Sequence, residues 1–194
     1  MKIFLATGNK HKIDEIKDIF SDIRGIEILS IKDGFDIPDV IEDGKTFEEN
    51  SQKKALEIAK FLNIITIADD SGLCVESLNG EPGVYSARYS EEGTDKENNK
   101  KLIKNLQGIE NRKAKFISVI SLAKPNGEIY SFSGEIHGKV IDEAKGETGF
   151  GYDPHFYIEK YNKTLAEMPE IKNKISHRAK ALEKLKENLE NILF

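Results

Sequence analysis

A chain of 194 residues has room for one domain, or one domain with an added lobe, and for a full hydrophobic core. Its 38% hydrophobic and 32% charged residues are ordinary for a soluble protein, and a formal net charge of −5 leaves no excess of cations to cover a nucleic-acid backbone. The single cysteine, Cys74, excludes an internal disulfide and fits a reducing compartment. Within Leu73-Cys74-Val75 it reads as a buried small apolar residue rather than a nucleophile. The first residues read as a strand, not as a charged-then-apolar leader, and no apolar run approaches membrane-spanning length. The expectation is a cytoplasmic protein without membrane contact.

Lys2-Ile3-Phe4-Leu5-Ala6-Thr7 predicts a short buried strand, followed at once by Gly8-Asn9-Lys10-His11-Lys12. Ile13, Ile16, Ile19, Phe20 and Ile23 then recur at helical spacing. Strand, Thr-Gly-Asn, helix is a layout suited to phosphate: glycine permits close backbone approach, and the helix N-terminus offers N–H groups and a positive dipole end. Lys10 and Lys12 add charge there. The same residues also suit an everyday turn, and they match neither the nucleotide P-loop nor the dinucleotide fingerprint.

Glu27 to Ile31 predicts a second strand, and the turn residues Gly34, Pro38 and Gly44 mark a loop from Lys32 to Lys45. That loop carries the acids Glu42 and Asp43, either a solvated pair or part of a site. Thr46-Phe47-Glu48-Glu49 is a capping box for a helix whose buried side is Ala55, Ile58, Ala59 and Leu62. Lys54 on this helix turns toward the next strand end or toward water.

The next stretch, Ile64-Ile65-Thr66-Ile67-Ala68-Asp69-Asp70-Ser71-Gly72, runs β-formers into two adjacent aspartates. A strand ending there delivers acids to a sheet edge, where α/β folds place their sites. Strand alternation sends Asp69 and Asp70 to opposite faces, so one reads as metal ligand or base and the other as a supporting acceptor. A simple Asx-turn closing the strand is the plainer alternative.

Leu78 to Tyr89 is turn-rich and carries Tyr85, Arg88 and Tyr89, a segment able to cover a site or meet a partner. Thr94-Asp95-Lys96-Glu97 opens a helix reaching Gly108. Ala114–Ala123 and Glu128–Ile136 predict two strands joined by a Pro125-Asn126-Gly127 hairpin turn, with Gly138–Ile141 continuing as strand. An α/β core with an antiparallel extension fits this order. In Gly149-Phe150-Gly151-Tyr152-Asp153-Pro154, glycines flank aromatics. Phe150 either offers a ring face to a base or tucks its loop onto the core. Thr164-Leu165-Ala166-Glu167 predicts a short capped turn. Lys172, Lys174, Ser176, His177 and Arg178 then cluster donors at the start of a last helix with the apolar seam Ile175, Ala179, Leu182, Leu185, Leu189 and Ile192. Such donors suit a phosphate or a base carbonyl. No linker, repeat or low-complexity run divides the chain, so a single domain over 1–194 is expected.

Taken together and in order, these motifs resemble the Ham1-type inosine triphosphate pyrophosphatases. The resemblance spans the whole chain: Thr7-Gly8-Asn9 with Lys12, Glu42 before Gly44, Thr46-Phe47-Glu48-Glu49-Asn50 with Lys54-Ala55, and Ala68-Asp69-Asp70-Ser71-Gly72-Leu73. It continues through Pro82 to Tyr89, Gly149 to Pro154, and Ile175-Ser176-His177-Arg178. It implies an α/β fold of two lobes around a long central mixed sheet flanked by helices, with a substrate cleft between the lobes, and a homodimer. The implied reaction is Mg2+-dependent hydrolysis of ITP, dITP or XTP to the monophosphate and pyrophosphate. Thr7, Gly8, Asn9, Lys10, His11 and Lys12 would grip the triphosphate, with Lys54 as a second phosphate contact. Glu42 and Asp70 would hold Mg2+, and Asp70 would serve as general base with Asp69 in support. Ser71 would touch substrate, Phe150 would stack on the base, and Gly151, Tyr152, Asp153, Lys172, His177 and Arg178 would shape its pocket. A Maf-type pyrophosphatase of other modified nucleotides is the runner-up, disfavoured by the Phe-Gly-Tyr-Asp and Ser-His-Arg motifs. A non-catalytic nucleotide-binding module would be expected to have lost Glu42, Asp69 and Asp70, and all three are present.

Overall fold

The computed structural model describes residues 1–193. Along the chain lie β1 (Lys2–Leu5), α1 (Lys10–Ile19), β2 (Glu27–Leu29), α2 (Phe47–Leu62), β3 (Ile65–Val75) and α3 (Asp95–Asn105). They are followed by β4 (Lys113–Ala123), β5 (Ile129–Val140), β6 (Phe156–Ile158), β7 (Lys163–Thr164), α4 (Pro169–Ile175) and α5 (His177–Leu193). The seven strands form one mixed sheet in the order β2-β1-β3-β4-β5-β6-β7. Strand β1 pairs in parallel with β2 and β3, and β6 pairs antiparallel with β5 and β7. The α/β class read from the sequence is the class observed.

The chain gathers into two compact units, Met1–Asp70 with Ser118–Gly134 and the residues from Arg178 onward, and Ser71–Ile117 with Glu135–His177. The changeovers fall inside β3, β4 and β5 and at the start of α5, where no linker composition exists to mark them.

In the first unit, Ile3, Phe4 and Leu5 are all fully buried, so β1 needs cover on both faces. Ile3, Leu5 and Ile67 pack with Ile13 and Ile16 of α1 and with Leu182 and Leu185 of α5. Phe4, Ala6 and Ala68 pack the other way, against Ala55, Ile58 and Ala59 of α2. The same alternation carries Asp69 to the α1/α5 face and Asp70 to the α2 face. Helix α2 starts where predicted: Thr46 accepts from Glu49 N–H at 3.1 Å, and the Glu49 carboxylate accepts from Thr46 N–H at 3.1 Å.

The second unit has its own core, built from Leu73, Val75, Leu102, Leu106, Phe116 and Phe156 among others. Gly138 stands where a Cβ would fall 2.5 Å from the Tyr157 carbonyl oxygen and 2.9 Å from the Phe156 ring, so only glycine lets β5 lie this close to β6.

Two sequence expectations are corrected, the end of β3 and the single last helix. Strand β3 does not end at the aspartates but continues to Val75, because both carboxylates find partners within the fold and need no turn to reach water. The strand expected over Glu128–Ile136 with its continuation at Gly138–Ile141 is observed as one strand, β5. The last helix is two, since Ser176 takes extended geometry (φ −66, ψ 162) between α4 and α5. Cys74 is only half-buried, though burial still pushes its thiol upward. Among the described residues, no helix is long and apolar enough to cross a membrane.

Candidate active site

The Thr-Gly-Asn stretch after β1 is a helix cap. Asn9 Oδ1 accepts from the N–H groups of His11 (2.9 Å) and Lys12 (3.2 Å), while Asn9 N–H donates to Thr7 Oγ1 at 3.2 Å. Two of the donors that every helix start leaves open are thus taken by the cap itself. Gly8, Lys10 and His11 are exposed. Lys12, on the inward side of the first turn, sets its ammonium 2.7 Å from Asp69 Oδ2.

Asp69 is sealed from water. Its Oδ1 accepts from Ser118 Oγ at 2.6 Å, and its Oδ2 accepts from Arg178 Nε at 3.3 Å and Nη2 at 3.1 Å. Arg178 Nη1 meets Glu15 at 2.5 Å. Burial alone would raise the Asp69 carboxyl, but the charges of Arg178 and Lys12 overcome this and hold it far below the usual carboxylate range. Two cations and two carboxylates therefore balance in a dry site. Asp69 is a permanent anion that orients Lys12.

Asp70 behaves differently. Asn50 Nδ2 donates to its Oδ2 at 3.0 Å. Burial pushes this carboxyl up to about 6; the Asn50 hydrogen bond and Lys12 work against that rise, and the nearby charges of Glu42 and Asp69 add to it. Two adjacent aspartates are thus split by environment into a fixed anion and a group that exchanges protons near neutrality. Glu42 is ion-paired with Lys54, and both line a cavity of about 310 Å³ together with Thr7 and Gly8. The fold therefore brings Thr7, Gly8, Lys12, Glu42, Lys54, Asp69 and Asp70 into the first unit, with Arg178 among them.

Ser71, Phe150, Gly151, Tyr152, Asp153, Lys172 and His177 belong to the second unit. Buried Asp153 accepts from Phe150 N–H at 3.0 Å and from Lys172 Nζ at 2.8 Å. The same ammonium lies 4.7 Å from the centre of the half-buried Phe150 ring, within cation–π range. A Cβ on Gly149 would collide with the Asp153 carboxylate, and Gly149 has φ +80, so glycine is required on both counts. Tyr152 faces inward: its hydroxyl donates to the Ser86 carbonyl at 2.7 Å, and burial pushes the phenol well above its ordinary range. The His177 ring is buried and stacks on Phe116, 4.8 Å away at 10°.

Sequence reasoning missed several residues that hold these groups. Glu15 lies three residues after Lys12, one helical turn on, which placed it on the same face. Asp95 and Asn99 clamp the Gly151 peptide, its N–H donating to Asp95 at 2.7 Å and its carbonyl accepting from Asn99 at 2.8 Å. Ser118 carried no signal at all. Asn50 stood inside a quoted motif without a role.

Residues 3–188 match the sequence model of the Ham1 family. Proteins named dITP/XTP pyrophosphatase are similar along nearly the whole chain. The one from Desulfotalea psychrophila is 51% identical over 98% of this chain and 86% of that protein, and the one from Clostridium perfringens is 51% identical over 99% and 98%. Two solved structures share the architecture. The Staphylococcus aureus Ham1 protein superposes with TM-score 0.88 at 43% identity, covering 99% of this chain and all 100% of that one. A HAM1 protein from Coxiella burnetii gives 0.90 at 38% identity, covering 98% and 99%. With its acids, lysines and glycine-flanked aromatic in the order that the motifs predict, and with likeness at this level from end to end, the chain belongs to the Ham1 family.

Proposed function

We propose that this protein hydrolyses the non-canonical purine nucleoside triphosphates ITP, dITP and XTP to the monophosphate and pyrophosphate, clearing them from the nucleotide pool in the cytoplasm as a homodimer. The observation that carries the chemistry is Asp70, a buried carboxyl held at 3.0 Å by Asn50 Nδ2 and within the influence of Lys12 and Glu42. A group of that kind accepts a proton at neutral pH and gives it back. In this reading water adds to phosphorus at the anhydride between the α- and β-phosphates, its proton passes to Asp70, and the P–O bond to the departing group breaks. Lys12 and Lys54 meet the phosphates, and the cap from Thr7 to His11 brings main chain up to them. Asp69 and Arg178 keep Lys12 in place.

Glu42 and Asp70 fit a hard divalent cation, and we assign Mg2+ to them. Both offer oxygen donors, and the charge of Glu42 works against ionisation of the buried Asp70, an effect that a cation relieves. Mg2+ would fill the rest of its shell with water and phosphate oxygens. When bound, Mg2+ supplies positive charge against the charge developing on phosphate oxygens. Phe150, backed by Lys172, is the stacking surface for the base, Gly151 and Asp153 fix its loop, and Ser71 is a substrate contact. His177 offers a donor to a purine 6-oxo group. An adenine amine cannot accept that bond, and unpaired buried donors are costly.

The test is pyrophosphate release from ITP, XTP, ATP and GTP, with and without Mg2+, with Asp70→Asn alongside. Metal-dependent release favouring ITP and XTP and lost in the variant is expected. Equal efficiency on all four would remove the base-reading argument, and nucleotide binding without turnover would remove the enzymatic one.

A further inference from the structure

Asn50 touches both the segment carrying Glu42 and Asp70 itself. It is fully buried in the first turn of α2. Its Oδ1 accepts from Gly44 N–H at 2.8 Å, and its Nδ2 donates to Asp70 Oδ2 at 3.0 Å. The Gly44 bond fixes which end of the amide is oxygen, so the end that faces Asp70 is a donor. Gly44 is shaped to this contact, since a Cβ there would lie 2.7 Å from Asn50 Oδ1 and 2.8 Å from the Glu49 Cβ. Helix α2 holds Asn50 rigidly, because the Thr46–Glu49 capping box locks the turn and Glu49 also accepts from Lys45 N–H at 2.6 Å. Lys45 N–H and Gly44 N–H are therefore both tied down, and Glu42 stands two residues before Gly44.

We infer that Asn50 is a positioning residue for divalent-cation binding: by bridging Gly44 N–H and the Asp70 carboxylate, it sets the separation of the Glu42 and Asp70 carboxylates. This deepens the proposed function and rests on its assignment of those two acids to the cation. A neutral amide suits the task. It orients Asp70 without adding a charge that would compete with the ion, and it leaves Asp70 Oδ1 to other partners. Residues that orient metal ligands in this way weaken metal affinity by about 10- to 100-fold when removed.

The experiment is Mn2+ titration of the nucleotide-free protein, read by loss of the free-ion paramagnetic resonance signal, on wild type, Asn50→Leu and Gly44→Ala. Asn50→Leu keeps the volume and deletes both bonds, and Gly44→Ala displaces the amide from the loop side. Far-ultraviolet circular dichroism in a chelator serves as the second readout, showing that each variant keeps its helices. The expected result is an Mn2+ dissociation constant raised about tenfold or more in both variants, with the helical signal unchanged. Variants that bind Mn2+ as wild type does would overturn the inference, as would loss of Mn2+ binding only together with the helical signal. If Asn50→Leu does not fold, Gly44→Ala decides by the same criteria. Wild type that binds no Mn2+ would instead overturn the assignment of Glu42 and Asp70, a separate failure visible before any variant is made.

Discussion

Arg178 lies against Asp69 with Nη2 at 3.1 Å and Nε at 3.3 Å from one carboxylate oxygen, both side chains closed to water. Such a pair contributes little net stability over an apolar equivalent, but breaking it is costly because a buried charge is stranded. Arg178→Ala would leave both Asp69 and Glu15 without this partner and should destabilise by about 3–5 kcal/mol, read as the urea midpoint. Arg178→Lys should recover little, since one ammonium cannot span two carboxylates as the guanidinium does. Full stability in Arg178→Lys would show that charge alone suffices.

Asp70 makes the opposite prediction. Its folded value of about 6 lies above the ordinary 3.8, so folding favours the protonated carboxyl. The stability this carries is complete below pH 3.8 and is lost as pH rises through 6. In chelator at pH 8, Asp70→Asn should therefore stabilise the protein by about 1–3 kcal/mol, while abolishing turnover. Melting curves at pH 4 should show the gain gone, and a gain of equal size at both pH values would mean that charge is not its source.

Tyr152 extends the argument to alkaline pH. Burial is the main cause of its raised phenol, with the charges of Tyr89 and Asp95 adding to it. The neutral form is the one that the fold holds, so stability present below the ordinary value of 10 should fall as pH climbs toward the folded value. Of the six tyrosines, one should ionise only as the protein unfolds, and ultraviolet titration of Tyr152→Phe should lack that late step.

Phe150 is half-buried on a loop, so its truncation should leave the melting point nearly unchanged. If its ring carries the base, Phe150→Ala should lower kcat/KM for ITP by the equivalent of about 1–3 kcal/mol. A catalytic efficiency within twofold of wild type would assign the ring to loop packing instead.

Much of this fold and of its candidate site was legible in the sequence because local rules wrote it. Capping boxes at Thr46 and Thr164, the Pro125-Asn126-Gly127 turn and the apolar periodicity of α1 and α2 each follow from a few neighbouring residues. Asp69 and Asp70 were visible as a pair, and alternation correctly sent them to opposite faces. What alternation could not say was which face held the partners of Asp69, because Lys12, Ser118 and Arg178 come from remote parts of the chain. The continuation of β3 past the acids was hidden for the same reason: an Asp-Asp-Ser-Gly run reads as a turn until its carboxylates are known to be neutralised inside. The break at Ser176 was masked by an apolar seam that stays in phase across it.

The partners of Asp69 have a consequence for how the chain is made. Its contact with Arg178 spans 109 residues, and that between Arg178 and Glu15 spans 163. The first unit also takes Leu182, Leu185 and Leu189 of α5 into its core, whereas every residue of the second unit precedes Arg178. During synthesis, the second unit is thus fully available while the first still lacks α5 and one of the two cations that neutralise its buried acid. Until that contact closes, Asp69 has Lys12 and Ser118 to face it but not Arg178. The unit that contains Met1–Asp70 can be completed only once α5 has been made.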